Sequence, residues 1–247
     1  MRKLLLLIVF IVVLIGSLLA FTPLGFVLNQ SGIGSLGAGW AKADGTLMKG
    51  RISGFYVDTQ PVGDVSLSLR PLSLLSLQPT YDVQWGGAGG RGTGVLTLSR
   101  SALVGKELRM QQELGAIEGL SAPVRAMGGS LRLRDGAFRV TQTGCESSSG
   151  TLSTNTLSTL AAQYGRQFGE ISGPISCDEG AFVLDMGGTS NANERVEIKA
   201  RASMVGQGSF STEVETQDTQ IIIALTQIGF ERENGRFVYR QTFSPGQ

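Results

Sequence analysis

The sequence predicts a mainly β fold: an N-terminal transmembrane helix followed by a curved, twisted antiparallel β-sheet domain with two short covering helices and one disulfide. Three observations predict this fold. The chain begins with a long apolar run, the remainder alternates apolar and polar residues, and 35 glycines among 247 residues suit turns, bulges and bends. The expected organisation is a cytoplasmic start, anchor and extension over residues 1–29, a Gly/Ser-rich neck over 30–42, and a β-rich domain over 43–247.

The anchor is predicted from residues 4–21, which are uncharged and mostly apolar and follow Arg2 and Lys3. About 18 apolar residues are enough to cross the hydrocarbon layer as a helix, and basic residues on the short side favour keeping that side in the cytoplasm. We therefore expect a single-pass protein whose C-terminal domain lies on the far side of the membrane. The alternative is a signal peptide cleaved after Ala20. Against it, the apolar run exceeds the usual length of about 7–15 residues, and Leu18 is too large for a small-x-small site.

Strands are predicted wherever apolar and polar residues alternate, as in Val65, Leu67 and Leu69 with serines between them. The same period recurs around 131–134 and 196–203. One apolar and one polar face is typical of an antiparallel sheet covered on a single side. Turns between strands are predicted at three dipeptides: Asp44-Gly45, Asp135-Gly136 and Asn234-Gly235.

A cluster of glycines fills residues 86–92, with the sequence GGAGGRG. A phosphate cradle needs a helix start next to it and a lysine or acidic partner at a set spacing, and neither is present. We predict a mobile hairpin loop.

Two segments break the strand pattern and are predicted to be short helices covering the sheet. In 114–127, apolar residues recur at helical spacing, although Gly115, Gly119 and Pro123 weaken the pattern. In 155–168, Leu157 and Phe168 belong to one apolar side, and Asn155 is a candidate N-cap.

The two cysteines, Cys145 and Cys177, are predicted to form a disulfide, because they lie beyond the membrane, in an oxidising compartment, where an even count of cysteines indicates a bridge. The bridge would tie the second predicted helix back onto the sheet. Two unpaired buried thiols are the alternative.

Composition excludes several functions. The 21 basic and 20 acidic residues give a net charge of +1, so there is no electrostatic footprint for a nucleic acid. The chain has no histidine, which removes the commonest general base and the commonest nitrogen ligand of metals. Acidic residues that are close in sequence are interpreted as a solvated sheet face rather than acid/base pairs: Asp178 with Glu179, Glu213 with Glu215, and Glu231 with Glu233. We predict no catalytic residue, cofactor or metal, and therefore no enzyme.

Several short motifs resemble those of the type II secretion system protein N family. They are ADGTLMKG at 43–50, LRPLSLL at 69–75, Cys145 followed by GTL at 150–152, and SGPISC at 172–177 followed by Gly180. The resemblance extends from about residue 40 to about 188 and fades towards the C-terminus. It implies a bitopic inner-membrane protein whose periplasmic part serves the machinery that exports folded proteins across the outer membrane, with other type II secretion components as partners.

Two other classes remain open. One is a lipid-handling protein, because an anchored sheet with one apolar face resembles AsmA-like and lipopolysaccharide-bridge modules that shelter acyl chains. The deciding feature is whether the face carrying Val65, Leu67 and Leu69 is covered or open as a groove. The other is an anchored envelope enzyme, which the missing histidines and catalytic motifs disfavour.

Overall fold

The computed structural model describes residues 21–30, 37–57, 60–118, 120, 122–126, 128–158, 165–204 and 207–243, with isolated positions before residue 21. The predicted anchor over 4–21 lies outside these residues apart from the isolated positions and Phe21, and so does part of the predicted neck, residues 31–36. Within the described residues, no helix has the length and apolar character needed to cross a bilayer.

The strands of the described residues are β1 (Ala38–Gly39), β2 (Lys42–Gly45), β3 (Lys49–Val57), β4 (Gln60–Leu69), β5 (Thr80–Gly87), β6 (Gly90–Leu98), β7 (Ala102–Glu113), β8 (Ser130–Thr141), β9 (Gly144–Thr154), β10 (Ile171–Asp178), β11 (Ala181–Thr189), β12 (Arg195–Ala202), β13 (Gly208–Glu215), β14 (Glu231–Glu233) and β15 (Arg236–Phe243). The helices whose two ends are both described are α1 (Leu24–Gln30), α2 (Ala122–Ala126) and α3 (Thr219–Gln227), with 3-10 helices at Pro71–Ser76 and Leu114–Ala116. The chain divides into two compact units, Met1–Thr97 and Leu98–Gln247. The predicted mainly β, antiparallel class is confirmed, whereas a single domain over 43–247 stays a prediction.

In the first unit, β3, β4, β5 and β6 pair in chain order, and β1 and β2 both pair with the outer side of β3. The predicted alternation in β4 is confirmed, because Val65 and Leu69 are buried while the serines between them are exposed. Ile52, Val65 and Val83 form the core of this unit.

Helix α1 lies on this core. Leu24 is buried in it and occupies the space beside Gly50, so that a Cβ at that position would collide with the leucine. The backbone before the helix is also held, since Leu47 N donates a hydrogen bond to Thr22 O at 3.3 Å and Pro23 forms a β-bridge with Thr46. The chain therefore contacts the sheet from Thr22 onward, and strand β1 and the first residue of β2 lie in the segment predicted as a neck.

The predicted loop at 86–92 is mostly paired strand. Strand β5 continues to Gly87, β6 resumes at Gly90, and these two residues pair directly, so only Ala88 and Gly89 form the turn. Both have positive φ, 47° and 74°, as a tight two-residue hairpin requires. Gly92 has a different role, because the indole of Trp85 occupies the space that a Cβ would need there.

In the second unit, the strand order is β7, β8, β9, β10, β11, β12, β13, β15, β14. The core of this unit consists of Leu152, Ile171, Met186, Val196, Val214 and Phe237. Helix α3, which the sequence reasoning missed, packs Ile222 and Leu225 against this core.

The three predicted turns have different outcomes. Asn234-Gly235 is confirmed as the two-residue turn between β14 and β15, with φ of 48° and 86°. Asp44-Gly45 ends β2, and the turn proper follows it, closed by a hydrogen bond from Thr46 N to Lys49 O. The prediction at Asp135-Gly136 is wrong. These residues lie inside β8 at a β-bulge, where Asp135 has a φ of 50° and the register shifts against both β7 and β9.

The two predicted helices are present only in part. The described part of 114–127 contains the 3-10 helix and the five-residue α2 rather than one continuous helix, and Pro123 lies in the first turn of α2, where proline is tolerated. In the second segment a helix begins at Thr156, and residues 159–164 lie outside the described residues. The side-chain oxygen of Asn155 accepts hydrogen bonds from Ser130 N and Oγ, which ties the helix start to β8 instead of capping the helix.

The Cys145–Cys177 disulfide is confirmed, with the two Cα atoms 5.6 Å apart. It joins the start of β9 to the end of β10. The backbone pairing of these strands extends from Thr154 opposite Ile171 only as far as Thr151 opposite Pro174. The bridge therefore holds the end of the strand pair at which the pairing has stopped.

Candidate interaction surfaces

Four of the closely spaced acidic residues of the second unit form ion pairs with arginines of other strands: Asp178, Glu179, Glu213 and Glu233. Arg201 contacts Asp178 at 2.6 Å and Glu179 at 3.1 Å, and the hydrogen bond that it donates to Asp178 holds the pKa of Arg201 above its ordinary value. Corresponding pairs join Arg236 to Glu213 and Arg240 to Glu233. Within the described residues, no group of three or more Cys, Asp or Glu side chains is arranged to hold a metal ion. The four carboxylates named above are engaged in ion pairs with arginines at the sheet surface.

A buried carboxylate network lies next to α3. Glu194 is only 6% exposed and accepts hydrogen bonds from Ser190 Oγ at 2.8 Å and from Arg166 Nε at 3.2 Å. The same arginine also pairs with Asp218. Ser190 Oγ in turn accepts the backbone N–H groups of Ala192 and Glu194, so its hydroxyl is fully used within the turn. The group is suited to hold structure, because the serine hydroxyl links the carboxylate to two backbone N–H groups of the same turn.

This network fixes α3 in place. Asp218 is the N-cap of the helix, accepting from the N–H groups of Gln220 and Ile221, while its other carboxylate oxygen meets Arg166. Sequence reasoning missed both the helix and the network. The available signal was an N-cap aspartate before an apolar run, but the β-branched residues of that run favour a strand.

The open edges of a sheet are natural docking sites, because their unpaired N–H and C=O groups can accept a strand from another chain. In the first unit, the outer side of β3 is protected by short strands, with β2 opposite Gly50–Ser53 and β1 opposite Tyr56 and Val57. This edge offers little continuous backbone.

The second unit has a longer open edge on β15. The three-residue β14 pairs with Arg236–Val238 only, whereas β13 pairs with β15 from Phe237 to Phe243. No strand of the described residues pairs with the outer side of 239–243. Tyr239 stacks on Phe230 with ring centroids 5.4 Å apart, and Arg240 is held by Glu233 through bonds of 2.6 and 2.8 Å. Two side chains held by these contacts therefore flank a backbone edge with which no described strand pairs.

The apolar sheet faces are covered by the chain's own side chains. In the first unit, Leu24 and Leu28 of α1 pack on the face that carries Val65. In the second unit, Phe168 and the two apolar residues of α3 pack on the central strands. The predicted segment 155–168 contributes to this cover through Leu157 and Phe168, whereas α1 and α3 were not among the covering helices predicted. Among the described residues, the face that carries Val65 is therefore covered, whereas a lipid-handling protein is expected to leave this face open as a groove.

A family model described as type II secretion system (T2SS), protein N matches residues 37–240, well over half of the chain. The resemblance was expected to fade after about residue 188, but the match continues through β12, β13 and α3 and into β15. No curated protein and no solved structure matches the chain.

Proposed function

Since the chain belongs to the type II secretion system protein N family, we propose that it is a non-catalytic accessory component of that system, anchored in the inner membrane and acting through protein–protein contacts. The open edge of β15 is the observation that carries the mode of action. A partner strand added at 239–243 would gain backbone hydrogen bonds without needing a pocket, and the family match reaches the start of this edge, ending at residue 240.

The proposed topology is bitopic, with the N-terminus in the cytoplasm and the β-rich residues 43–247 in the periplasm. The apolar run over 4–21 and the two cations before it support this topology. The disulfide also supports an oxidising compartment for the second unit. Anchoring confines the protein to the membrane of its partners, which raises their effective concentration and makes weak edge contacts sufficient.

The topology is tested by reporter fusions after Gln247. Alkaline phosphatase fused there should be active, and a reporter that works only in the cytoplasm should be silent. The reverse pattern, or a mature protein that begins at Phe21, would refute the anchor.

Deletion of the gene should reduce the amount of secreted enzymes outside the cell while export across the inner membrane continues. Complementation with the intact gene should restore secretion. Unchanged secretion combined with altered outer-membrane lipid composition would refute this function and favour the lipid-handling class.

The docking edge is tested with a photo-crosslinking amino acid at Thr242 of β15, with Lys199 of β12 as the matched control. Both side chains are exposed in the second unit, and pairing through β13 places Lys199 level with Arg240, on the face of the sheet that also carries Thr242. However, β12 is paired on both sides. We expect position 242 alone to give an adduct with a secretion component, and the adduct should disappear in cells that lack the other secretion genes. Equal adducts at both positions, or none at 242 in a variant that restores secretion, would refute the edge as the docking site.

A further inference from the structure

Three leucines are displayed to solvent on one turn of the first unit. Leu72, Leu75 and Leu77, within or next to the 3-10 helix Pro71–Ser76, are 80%, 83% and 78% exposed. We call residues 71–78 the leucine turn. Isolated apolar residues on a surface are ordinary, but several large ones side by side mark a contact surface.

The leucine turn is a built structure rather than a loose loop. Ser73 organises it, since its Oγ donates to Arg70 O at 2.6 Å and accepts from Thr80 N at 2.9 Å. The turn ends at Leu77 in a left-handed conformation with a φ of 56°, which is costly for a leucine. This conformation presents the Leu77 side chain to solvent together with the other two.

A charged clamp closes the base of the turn. Arg70 donates from Nε and Nη2 to both carboxylate oxygens of Asp82, at 2.7–3.2 Å. The same hydrogen bonds hold the pKa of Asp82 below its usual value. The guanidinium and carboxylate are therefore matched to each other, which leaves the apolar side chains as the projecting part of the turn.

The leucine turn leaves the sheet close to the point at which the N-terminal segment meets it. Leu47 N bonds to Thr22 O, and the next residue, Met48, accepts a hydrogen bond from Leu69 N at 2.9 Å. Leu69 is the last residue of β4, and only Arg70 separates it from the leucine turn. The leucine turn thus leaves the same end of the sheet at which the chain arrives from residues 4–21, about 10 Å away, or two strand spacings.

We propose that the leucine turn inserts into the periplasmic interface of the bilayer that holds the anchor, giving the first unit a second membrane contact. The inference rests on the anchor of the proposed function, because the anchor places this end of the sheet against lipid. Three aliphatic side chains, with the nearest charges paired, suit the boundary between headgroups and acyl chains. Together with the anchor, this contact would fix the orientation of the first unit on the membrane.

The test uses the full chain reconstituted into phospholipid vesicles with no other protein. A Gln78→Cys variant places a thiol next to Leu77 while keeping all three leucines. With Cys145 and Cys177 joined, the chain has no other cysteine to label. An environment-sensitive dye at this position should report an apolar surrounding and should be quenched by lipids that carry a nitroxide near the headgroup. Quenching by lipid distinguishes insertion from contact with a second copy of the chain.

The matched control is Ala88→Cys at the tip of the β5–β6 hairpin, just beyond Gly87, the other end of β5, which lies about 23 Å from Thr80 along the strand. We expect this probe to stay aqueous. Replacing Leu72 and Leu75 by serine in the Gln78→Cys chain should return the probe at position 78 to the aqueous value, while the protein remains in the membrane because the anchor is intact.

Carbonate extraction of the same vesicles separates the two claims. A chain that resists extraction but carries an aqueous, unquenched probe at 78 would overturn the leucine-turn contact and leave the anchor standing. A chain that carbonate removes would overturn the anchor and this inference with it. A probe that is aqueous in vesicles but protected in native membranes containing the secretion system would overturn the lipid contact in favour of a protein partner.

Discussion

Replacing Arg166 by methionine should destabilise the second unit strongly. The substitution leaves the Glu194 carboxylate, whose side chain is only 7% exposed, without its cationic partner while Ser190 and Thr216 still hold it in the interior. Removing one member of a buried ion pair costs about 3–5 kcal/mol. Arg166 itself is 27% exposed, so water partly screens the pair, and we expect the lower end of that range, about 3 kcal/mol.

Arg139→Met is the matched control, because it removes the same type of side chain from an ion pair of the same unit. Arg139 and Glu146 are 2.7 Å apart, but both are about half exposed, so the loss should be under about 1 kcal/mol. The combined change Arg166→Met with Glu194→Gln should recover part of the stability, since a neutral amide needs no counter-charge.

The assay is urea unfolding of the full chain in mild detergent. At each urea concentration the protein is exposed briefly to a protease, and the loss of the protected fragments of the second unit reports the unfolding of that unit. Because the chain has two units, the fragments must be assigned to one unit before a midpoint is quoted. If Arg166→Met costs no more than Arg139→Met, the buried network does not support the second unit as we argue.

Three further predictions concern other parts of the molecule. Replacing Cys145 and Cys177 by serine should lower stability by about 3–4 kcal/mol in the chain-entropy model, given their sequence separation of 32; free thiols in protein alkylated without reductant would contradict the bridge. Gly173→Ala should destabilise by more than about 2 kcal/mol, because its Cβ would meet the backbone of the paired strand β11, whereas Gly169→Ala has open space and should change little in the same urea assay. The pKa of Asp82 is lowered, so its ion pair stabilises the fold above the unfolded pKa of about 3.9, and this contribution is lost as the pH falls through the folded pKa. The difference in unfolding free energy between the wild type and Asp82→Asn should therefore shrink in acid. A difference that stays constant with pH would contradict the assignment.

The turn dipeptides show how far local sequence signals extend. Asn234-Gly235 and Asp135-Gly136 both supply residues that tolerate positive φ, and the structure uses that property at both places. One is a hairpin turn and the other a bulge within a strand. The difference depends on register, since β8 continues past the bulge to pair with β7 and β9 on its two sides. Residues distant in sequence decide it, and the dipeptide carries no information about them.

Helix α3 shows that tertiary contacts can override the local propensity of a segment. Its three consecutive isoleucines favour a strand by propensity, but the N-cap aspartate and the burial of Ile222 and Leu225 stabilise the helix. The anchoring contact from Asp218 to Arg166 joins residues 52 positions apart. Such a partner can be identified only once the chain is folded.

The sequence by itself determined the β class, the family and the cysteine pair, because period-two alternation, short ordered motifs and a count of two cysteines are properties of the chain alone. Only the tertiary structure decided where contacts with other molecules can form. The open edge of β15 exists because β14 stops after three residues. The leucine turn lies near the proposed anchor because hydrogen bonds link Thr22 to Leu47 and Met48 to Leu69. Both features depend on which strands lie side by side and where each one ends. These are non-local properties, since pairing is set by the free energy of the whole folded unit and not by any short segment within it.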